Sequence, residues 1–584
     1  MKPIASLLIF FLAFALKDIP AQSSRYIIVL KNKNNSPYTL NNPSQYLSIK
    51  SIERRTRQQI AIDSSDLPVN PAYLNSIRNA GTVSILNVSK WLNQVLIQTT
   101  DPLALQNING FSFVQSVAGI AARTSGREKD KEDKFSKMIF PVKRSQIVQG
   151  GSDYYSYGNM YAQVNIHEGE FLHNKGFRGE GMTIAILDAG FYHYDTNPAF
   201  DSIRLNNQVL GTWDFVANKT SVTEEHTHGM VCFSTIAANR PGLLVGTAPK
   251  ANFYLFRTED VATEYPVEEQ NWVAAAERAD SLGVDLITSS LGYNTFTNAA
   301  LDHTYADMNG YSTIITKGAE MAAKKGIFVT NSAGNSGGDG WHYIIAPADG
   351  EHVMAIGAVN TSKQVAGFSS YGPSYDGRIK PNVASVGWGT VIAGTDGNPA
   401  SASGTSVANP NLAGLITCLW QAFPEFTNAV IFDAVQRSAD KYNNPDDRVG
   451  YGIPNMRIAY EILDKKRQLQ NAERILHNDW LKAYPVPFTN GFTILLKPKL
   501  NGKTSFFLYN AAGKKVLTKT TDAQTGVLQF IAFNNLAQLL RWKKQAYCAV
   551  GEVRRSQVTG RRLQGDFPTN IRKTPLLKAQ IAQS

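Results

Sequence analysis

Ile184-Ala-Ile-Leu-Asp188-Ala-Gly190 decides how this 584-residue chain folds. With Thr183 before it, the apolar run is too short for a helix, and it stops at a carboxylate beside a glycine. Such a run reads as a strand buried on both faces, which requires helices packed above and below a parallel sheet. The chain downstream keeps to that plan. His228–Ala238 reads as a helix with Val231, Cys232 and Ile236 on its apolar side, and Asn252–Arg257 as a strand. Pro266 opens a helix that Gly283 ends after Leu282. Strands follow at Asp285–Ser290, Ile327–Asn331 and Val353–Ala358, with helices at Ile314–Lys325, Ser406–Ala422, Asn428–Ser438 and Asn455–Leu463. Residues 161–464 are therefore expected to form an α/β domain, a parallel sheet flanked by helices.

The same stretch places chemistry. At the C-terminal end of a strand in an open α/β sheet, side chains face the crevice where ligands bind, and Asp188 stands there. His226-Thr-His228-Gly229-Met-Val231 and Gly404-Thr-Ser406-Val-Ala408-Asn-Pro410 add a histidine and a serine at helix starts. A serine hydroxyl attacks a carbonyl near neutral pH only if an imidazole takes its proton and a carboxylate holds that imidazole in the right tautomer. Taken singly, Asp188 could cap a turn and Ser406 a helix. Together, in the chain order Asp, His, Ser, they point to a nucleophilic relay. At a helix N-terminus, Ser406 also sits where N–H groups favour a developing oxyanion. His226 competes with His228 for the role of base. The pair could instead ligate a metal, although no third ligand stands at a recognisable spacing.

These motifs resemble those of subtilisin-like (subtilase) serine peptidases. The resemblance runs across 161–463 and implies a triad of Asp188, His228 and Ser406. In that family the catalytic histidine directly precedes glycine, which selects His228; Val407 stands where Met usually follows the nucleophile. Ala333-Gly334-Asn335-Ser-Gly337 is similar to the family's oxyanion segment, which implies that Asn335 donates its side-chain amide. Asn331 lacks the flanking Ala-Gly. Ser289-Ser290-Leu291-Gly292 resembles the edge on which subtilases lay an extended substrate, so Ser290, Leu291 and Gly292 are implied to line the S1 region. The chemistry requires no cofactor. Asp302, Asp307 and Asn309, in a loop longer than that of a minimal subtilase, could offer oxygens to a structural calcium.

Outward from this domain the composition changes. Residues 1–22 read as a signal peptide: Lys2, an apolar run of 13 residues at Ile4–Leu16, then Ala21. Within 23–122, Tyr26–Leu30, Val83–Leu86 and Gln94–Thr99 read as strands and Asn75–Ala80 as a short helix. With Pro43-Ser-Gln-Tyr-Leu-Ser48, Arg54-Arg55, Asp66-Leu-Pro-Val69 and Ser89-Lys-Trp91-Leu-Asn93, this segment resembles the propeptide of secreted bacterial subtilases. The resemblance implies an α+β domain that acts as an intramolecular inhibitor. Residues 123–160 are expected to be a linker and processing region, exposed over its charged stretch Arg123–Asp153. After a second linker at 465–480, residues 481–540 alternate as strands over Phe492–Lys497, Thr504–Asn510 and Val516–Thr520, a small all-β domain. Pro485-Val-Pro487-Phe488 and Gly513-Lys-Lys-Val516 resemble the C-terminal sorting domain that Bacteroidetes use for type IX secretion. The usual ending of that domain gives way to a basic tail at 541–584.

A formal charge of +11 invites a nucleic-acid reading, but Arg541–Ser584 holds ten Lys or Arg against two acidic residues. The excess is thus mostly a solvated tail, and no nucleic-acid partner is expected. Cys232, Cys418 and Cys548 are odd in number and far apart, so no disulfide framework is indicated. Cys232 and Cys418 read as buried thiols, with a bridge between them as the alternative. The expectation is a secreted or cell-surface serine endopeptidase acting on protein or peptide substrates. Its partners would be its own propeptide and the type IX machinery. A silent or propeptide-locked binding protein on the same scaffold is the rival.

Overall fold

The computed structural model describes residues 23–122, 139–141, 152–484, 492–497, 501–510, 514–534, 546–549 and 580–583. The signal-peptide reading at 1–22, the charged centre of the first linker, the Pro485–Phe488 and Gly513 parts of the sorting motif and nearly all of the tail lie outside the described residues. The chain forms two compact units, Met1–Ile462 and Leu463–Ser584.

The first unit opens with four strands, β1 (Ser23–Leu30), β2 (Ser84–Ser89), β3 (Gln94–Gln98) and β4 (Val114–Ala122). They form an antiparallel sheet in the order β2-β3-β1-β4. Three helices accompany it, α1 (Ile49–Gln58), α2 (Pro71–Arg78) and α3 (Pro102–Gly110). Each has a side-chain cap at its start: Ser48, Asn70 and Asp101, the last two followed by proline. The cap at Asn70 explains why α2 begins earlier than the Asn75–Ala80 expectation.

The α/β part follows. Its strands are β5 (Ile139–Pro141), β6 (Thr183–Asp188), β7 (Val209–Asp214), β8 (Asn239–Arg240), β9 (Leu244–Val245), β10 (Asn252–Arg257), β11 (Leu286–Ser289), β12 (Phe328–Ser332), β13 (Val353–Val359), β14 (Val383–Val386), β15 (Thr390–Ala393) and β16 (Pro399–Ala402). Its helices are α4 (Tyr161–Asn165), α5 (Gly169–Asn174), α6 (Asp201–Leu205), α7 (His228–Ala237), α8 (Val267–Leu282), α9 (Ile314–Lys324), α10 (Thr405–Ala422), α11 (Asn428–Arg437) and the start of α12 (Met456–Leu476), whose residues from Leu463 on belong to the second unit. Seven strands build one parallel sheet in the order β14-β13-β12-β11-β6-β10-β7. The buried strand read at Ile184 is β6, and every one of its residues is buried. From β6 the chain runs to β7 and β10 on one side, then crosses to β11 on the other. Asp188 ends β6 at this switch point, where open sheets leave a crevice.

Two expectations need correcting. The linker region does not run to residue 160, because beyond its charged stretch Tyr155, Tyr157 and Met160 are buried and the Tyr157 hydroxyl lies 2.6 Å from His173 Nδ1. The second linker, 465–480, is largely helical, because α12 runs on to Leu476. Its Lys, Arg, Gln and Glu residues carry high helix propensity with no Gly or Pro to stop it, and Ala472 and Leu476 pack with Leu495.

Charge fastens the four-stranded part to the α/β part. Arg55 on α1 donates to Asp66 (2.7 Å) and to Asp280 of α8 (2.9 Å). Arg54 donates to Asp280 and to the Val284 and Lys325 carbonyls just past α8 and α9. Lys325 Nζ returns to Asp66 at 2.9 Å. Burial alone would raise the Asp280 carboxyl, but Arg54, Lys90 and Arg55 outweigh it and hold it below the usual range. Glu277 accepts from Ser89 Oγ and from the Lys90 and Trp91 N–H groups.

In the second unit β17 (Leu481–Tyr484), β18 (Phe492–Leu496) and β21 (Gln529–Phe533) form one sheet. The other holds β19 (Gly502–Asn510), β20 (Lys515–Ala523), β22 (Ala546–Ala549) and β23 (Gln580–Gln583). Phe492, Ile494, Phe506, Leu508 and Phe533 share its core. Among the described residues no helix is long and apolar enough to cross a membrane.

Candidate active site

Asp188 is fully buried, and its Oδ1 lies 2.6 Å from His228 Nδ1. The same oxygen accepts the Ala189 N–H at 2.7 Å. A carboxylate so placed holds the ring with its proton on Nδ1, which leaves Nε2 as the basic nitrogen. His228 is the first residue of α7, and the local sequence explains how the helix comes so near. A Cβ on Gly229 would collide with the Gly190 carbonyl oxygen and meet Asp188 Cβ at 2.9 Å. A Cβ on Gly190 would meet His226 N at 2.6 Å. A glycine on each side therefore lets the two turns close on one another. His226, the rival base, accepts the His228 N–H on its Nδ1 at 3.1 Å and so caps the helix start.

Ser406 is the second residue of α10 and is buried. Its carbonyl accepts from Ser290 Oγ at 2.8 Å and from Cys232 Sγ at 3.2 Å. Cys232 stands one turn beyond His228, with its sulfur 3.9 Å from His228 Nδ1. One thiol thus lies against both the histidine and the serine, across the packing of α7 on α10. Burial, then the Asp188 charge, pushes that thiol well above its usual range, so it stays protonated and is no competing nucleophile. Cys232 and Cys418 are both free and buried, and each donates to a different carbonyl, which removes the alternative of a bridge.

Asn335 turns its amide oxygen to Thr405, accepting the backbone N–H and the hydroxyl, both at 2.9 Å. Because a backbone N–H can only donate, this contact fixes the amide orientation and points Nδ2 the other way. The Gly334 N–H in turn donates to Thr405 Oγ1 at 3.2 Å. Thr405 is the residue that reading the sequence missed; its only signal was a hydroxyl beside the candidate nucleophile. Asn331, the competitor, spends its amide on the Leu291 and Ser332 carbonyls and ties β11 to β12.

Ser290 bonds to the Ser406 carbonyl, whereas the Leu291 side chain belongs to the main core. Leu291 can therefore offer a substrate only its backbone. Asp302, Asp307 and Asn309 serve as turn caps: they accept from Phe296 N, from Thr304 N and Oγ1, and from Tyr311 and Ser312 N. One oxygen of each is engaged in its own local turn, and no ion is assigned to them.

Comparison with known proteins agrees with this architecture. Residues 179–452 match the model of the Subtilase family, and residues 25–136 match that of the Peptidase S8 propeptide domain, Bacteroidota. The chain is 30% identical over 293 residues to Subtilisin of Bacillus pumilus, covering 49% of this chain and 94% of the relative. It is 29% identical over 344 residues to Subtilisin NAT of Bacillus subtilis subsp. natto, covering 58% of this chain and 80% of the relative.

Proposed function

Since the chain belongs to the subtilase family, we propose that it cleaves peptide bonds through a Ser406–His228–Asp188 relay and an acyl-enzyme at Ser406. In this reading His228 Nε2 takes the Ser406 proton as Oγ attacks the scissile carbonyl carbon. The oxyanion is held by the Ser406 N–H and Asn335 Nδ2, the amide that Thr405 orients. Collapse expels the amine, which takes the proton from His228, and a water activated by the same ring releases the acid. None of these steps draws on a cofactor. The Ser290–Gly292 edge would pair with an extended substrate through its backbone, and Asn335 would supply about 100–1000-fold of turnover.

The observation that carries this reading is the 2.6 Å bond from Asp188 to His228 at the switch point of the sheet. The test is a fluorophosphonate probe with tryptic mapping. It is expected to label Ser406 in the self-processed protein and nothing in Ser406→Ala. Casein cleavage retained by Ser406→Ala would overturn the assignment.

The precursor reading belongs to the same proposal. Residues 23–122 act as the inhibitor of the 161–464 peptidase domain, and the Arg54–Arg55 clamp on Asp280 keeps them seated. Export by a signal peptide at 1–22, and a role for 481–540 with the type IX machinery, rest on the sequence alone. N-terminal sequencing of the secreted protein tests the first of these. A start before residue 123 would remove the processing claim.

A further inference from the structure

Resting on the relay reading, the position of Asn335 and Ser406 fixes which walls enclose the side chain that precedes a scissile bond. In that reading, a carbonyl held between those two residues would send the side chain between the Ser290–Gly292 edge and the Ala333–Asn335 segment. Residues 344–346 join these two segments. The Ile345 N–H donates to the Ala333 carbonyl at 3.3 Å, and the Tyr293 N–H donates to the Ala346 carbonyl at 2.9 Å.

Each segment has a glycine there, and the Ile345 side chain lies against both. A Cβ on Gly292 would meet Ile345 Cδ1 at 2.5 Å and Cγ1 at 2.6 Å. A Cβ on Gly334 would meet Ser370 Oγ at 2.8 Å, then Ile345 Cγ1 at 3.0 Å and Cδ1 at 3.2 Å. Ile344 and Ala346 are buried, but Ile345 is only half-buried and keeps an accessible face. As a β-branched residue it has few rotamers into which to withdraw.

We propose that Ile345 shortens the S1 slot and makes this a peptidase for small residues before the scissile bond, alanine foremost, with aromatic and long aliphatic side chains excluded. The physical reason is volume. A large side chain would have to displace a stiff isoleucine wedged between two backbones, and overpacking of that kind is costly. A difference of one methylene in an apolar pocket already shifts specificity by about 10–200-fold.

The test uses the self-processed protein and succinyl-Ala-Ala-Pro-X-p-nitroanilides with X as Ala, Met, Leu or Phe. The expected kcat/KM for Ala exceeds that for Phe by at least about tenfold, and Ile345→Gly raises the Phe/Ala ratio by about tenfold or more. Ile345→Ala, the milder change, should lie between and carries the test if the glycine variant fails to fold. Wild-type protein that prefers Phe, or an unchanged ratio in the soluble variants, overturns the proposal. Fluorophosphonate labelling separates the two levels. A labelled enzyme that prefers Phe removes only the S1 assignment, while an unlabelled, inactive protein removes the relay reading and this proposal together.

Discussion

Among the buried ionisable side chains of the first unit, two sets are built on opposite plans. Where α1 meets α8 and α9, Arg54, Arg55, Asp66, Asp280 and Lys325 are nearly inaccessible, and each touches a charge of opposite sign. At the end of β6, Asp188 and His228 are just as deep but are joined by one bond between a carboxylate and an imidazole. The first set holds permanent charges that compensate one another, which makes it adhesive. The second pairs a fixed charge with a group that can gain and lose a proton, which suits it to chemistry. Burial is common to both; the partner decides the role.

Ser406→Ala draws the line between them most sharply. It is expected to lower casein cleavage by about 10⁴-fold or more while leaving the urea-unfolding midpoint unchanged; a shifted midpoint would mean that the two regions are not independent. Asp280→Ala in the Ser406→Ala background probes the adhesive set. Leaving Arg54 buried without an anion, and Arg55 with Asp66 alone, should cost about 3–5 kcal/mol of stability by urea denaturation, and a loss below about 1 kcal/mol would break the comparison. Asn335→Leu should reduce kcat by about 100–1000-fold with little change in KM, measured on the preferred p-nitroanilide.

The smallest effect tests burial without a charged partner. Burial pushes His167 and His173 down to about 4. The folded state therefore favours their neutral form, and the stability they contribute is complete above the unfolded value of about 6.5 and is lost as pH falls toward 4. Urea titrations of Ser406→Ala between pH 7 and 4 should show this loss, at most about 3 kcal/mol for each ring. A flat profile would contradict it.

Much of the fold was legible because its central strands are short, apolar and punctuated. Asn252–Arg257 is β10 to the residue, and Gly283, at φ 83°, ends α8 where expected. The misses have physical causes. β7 carries Gly211 at a half-exposed sheet edge, and β14 is only four residues long, so neither shows an apolar run. The buried tyrosines at 155 and 157 sit beside a charged stretch whose composition masked them. At the candidate site, residue types and flanking glycines could be read directly. The roles of Thr405, Cys232 and Ile345 could not, because they arise from contacts between segments distant in the chain.

The pair of glycines at 190 and 229 has a consequence for how such a sequence can drift. Neither site tolerates even one added carbon, since each presses directly on the other's turn. A saturation library should therefore show two blank columns there, and a lineage could respell either position only after abandoning the catalytic arrangement beside it.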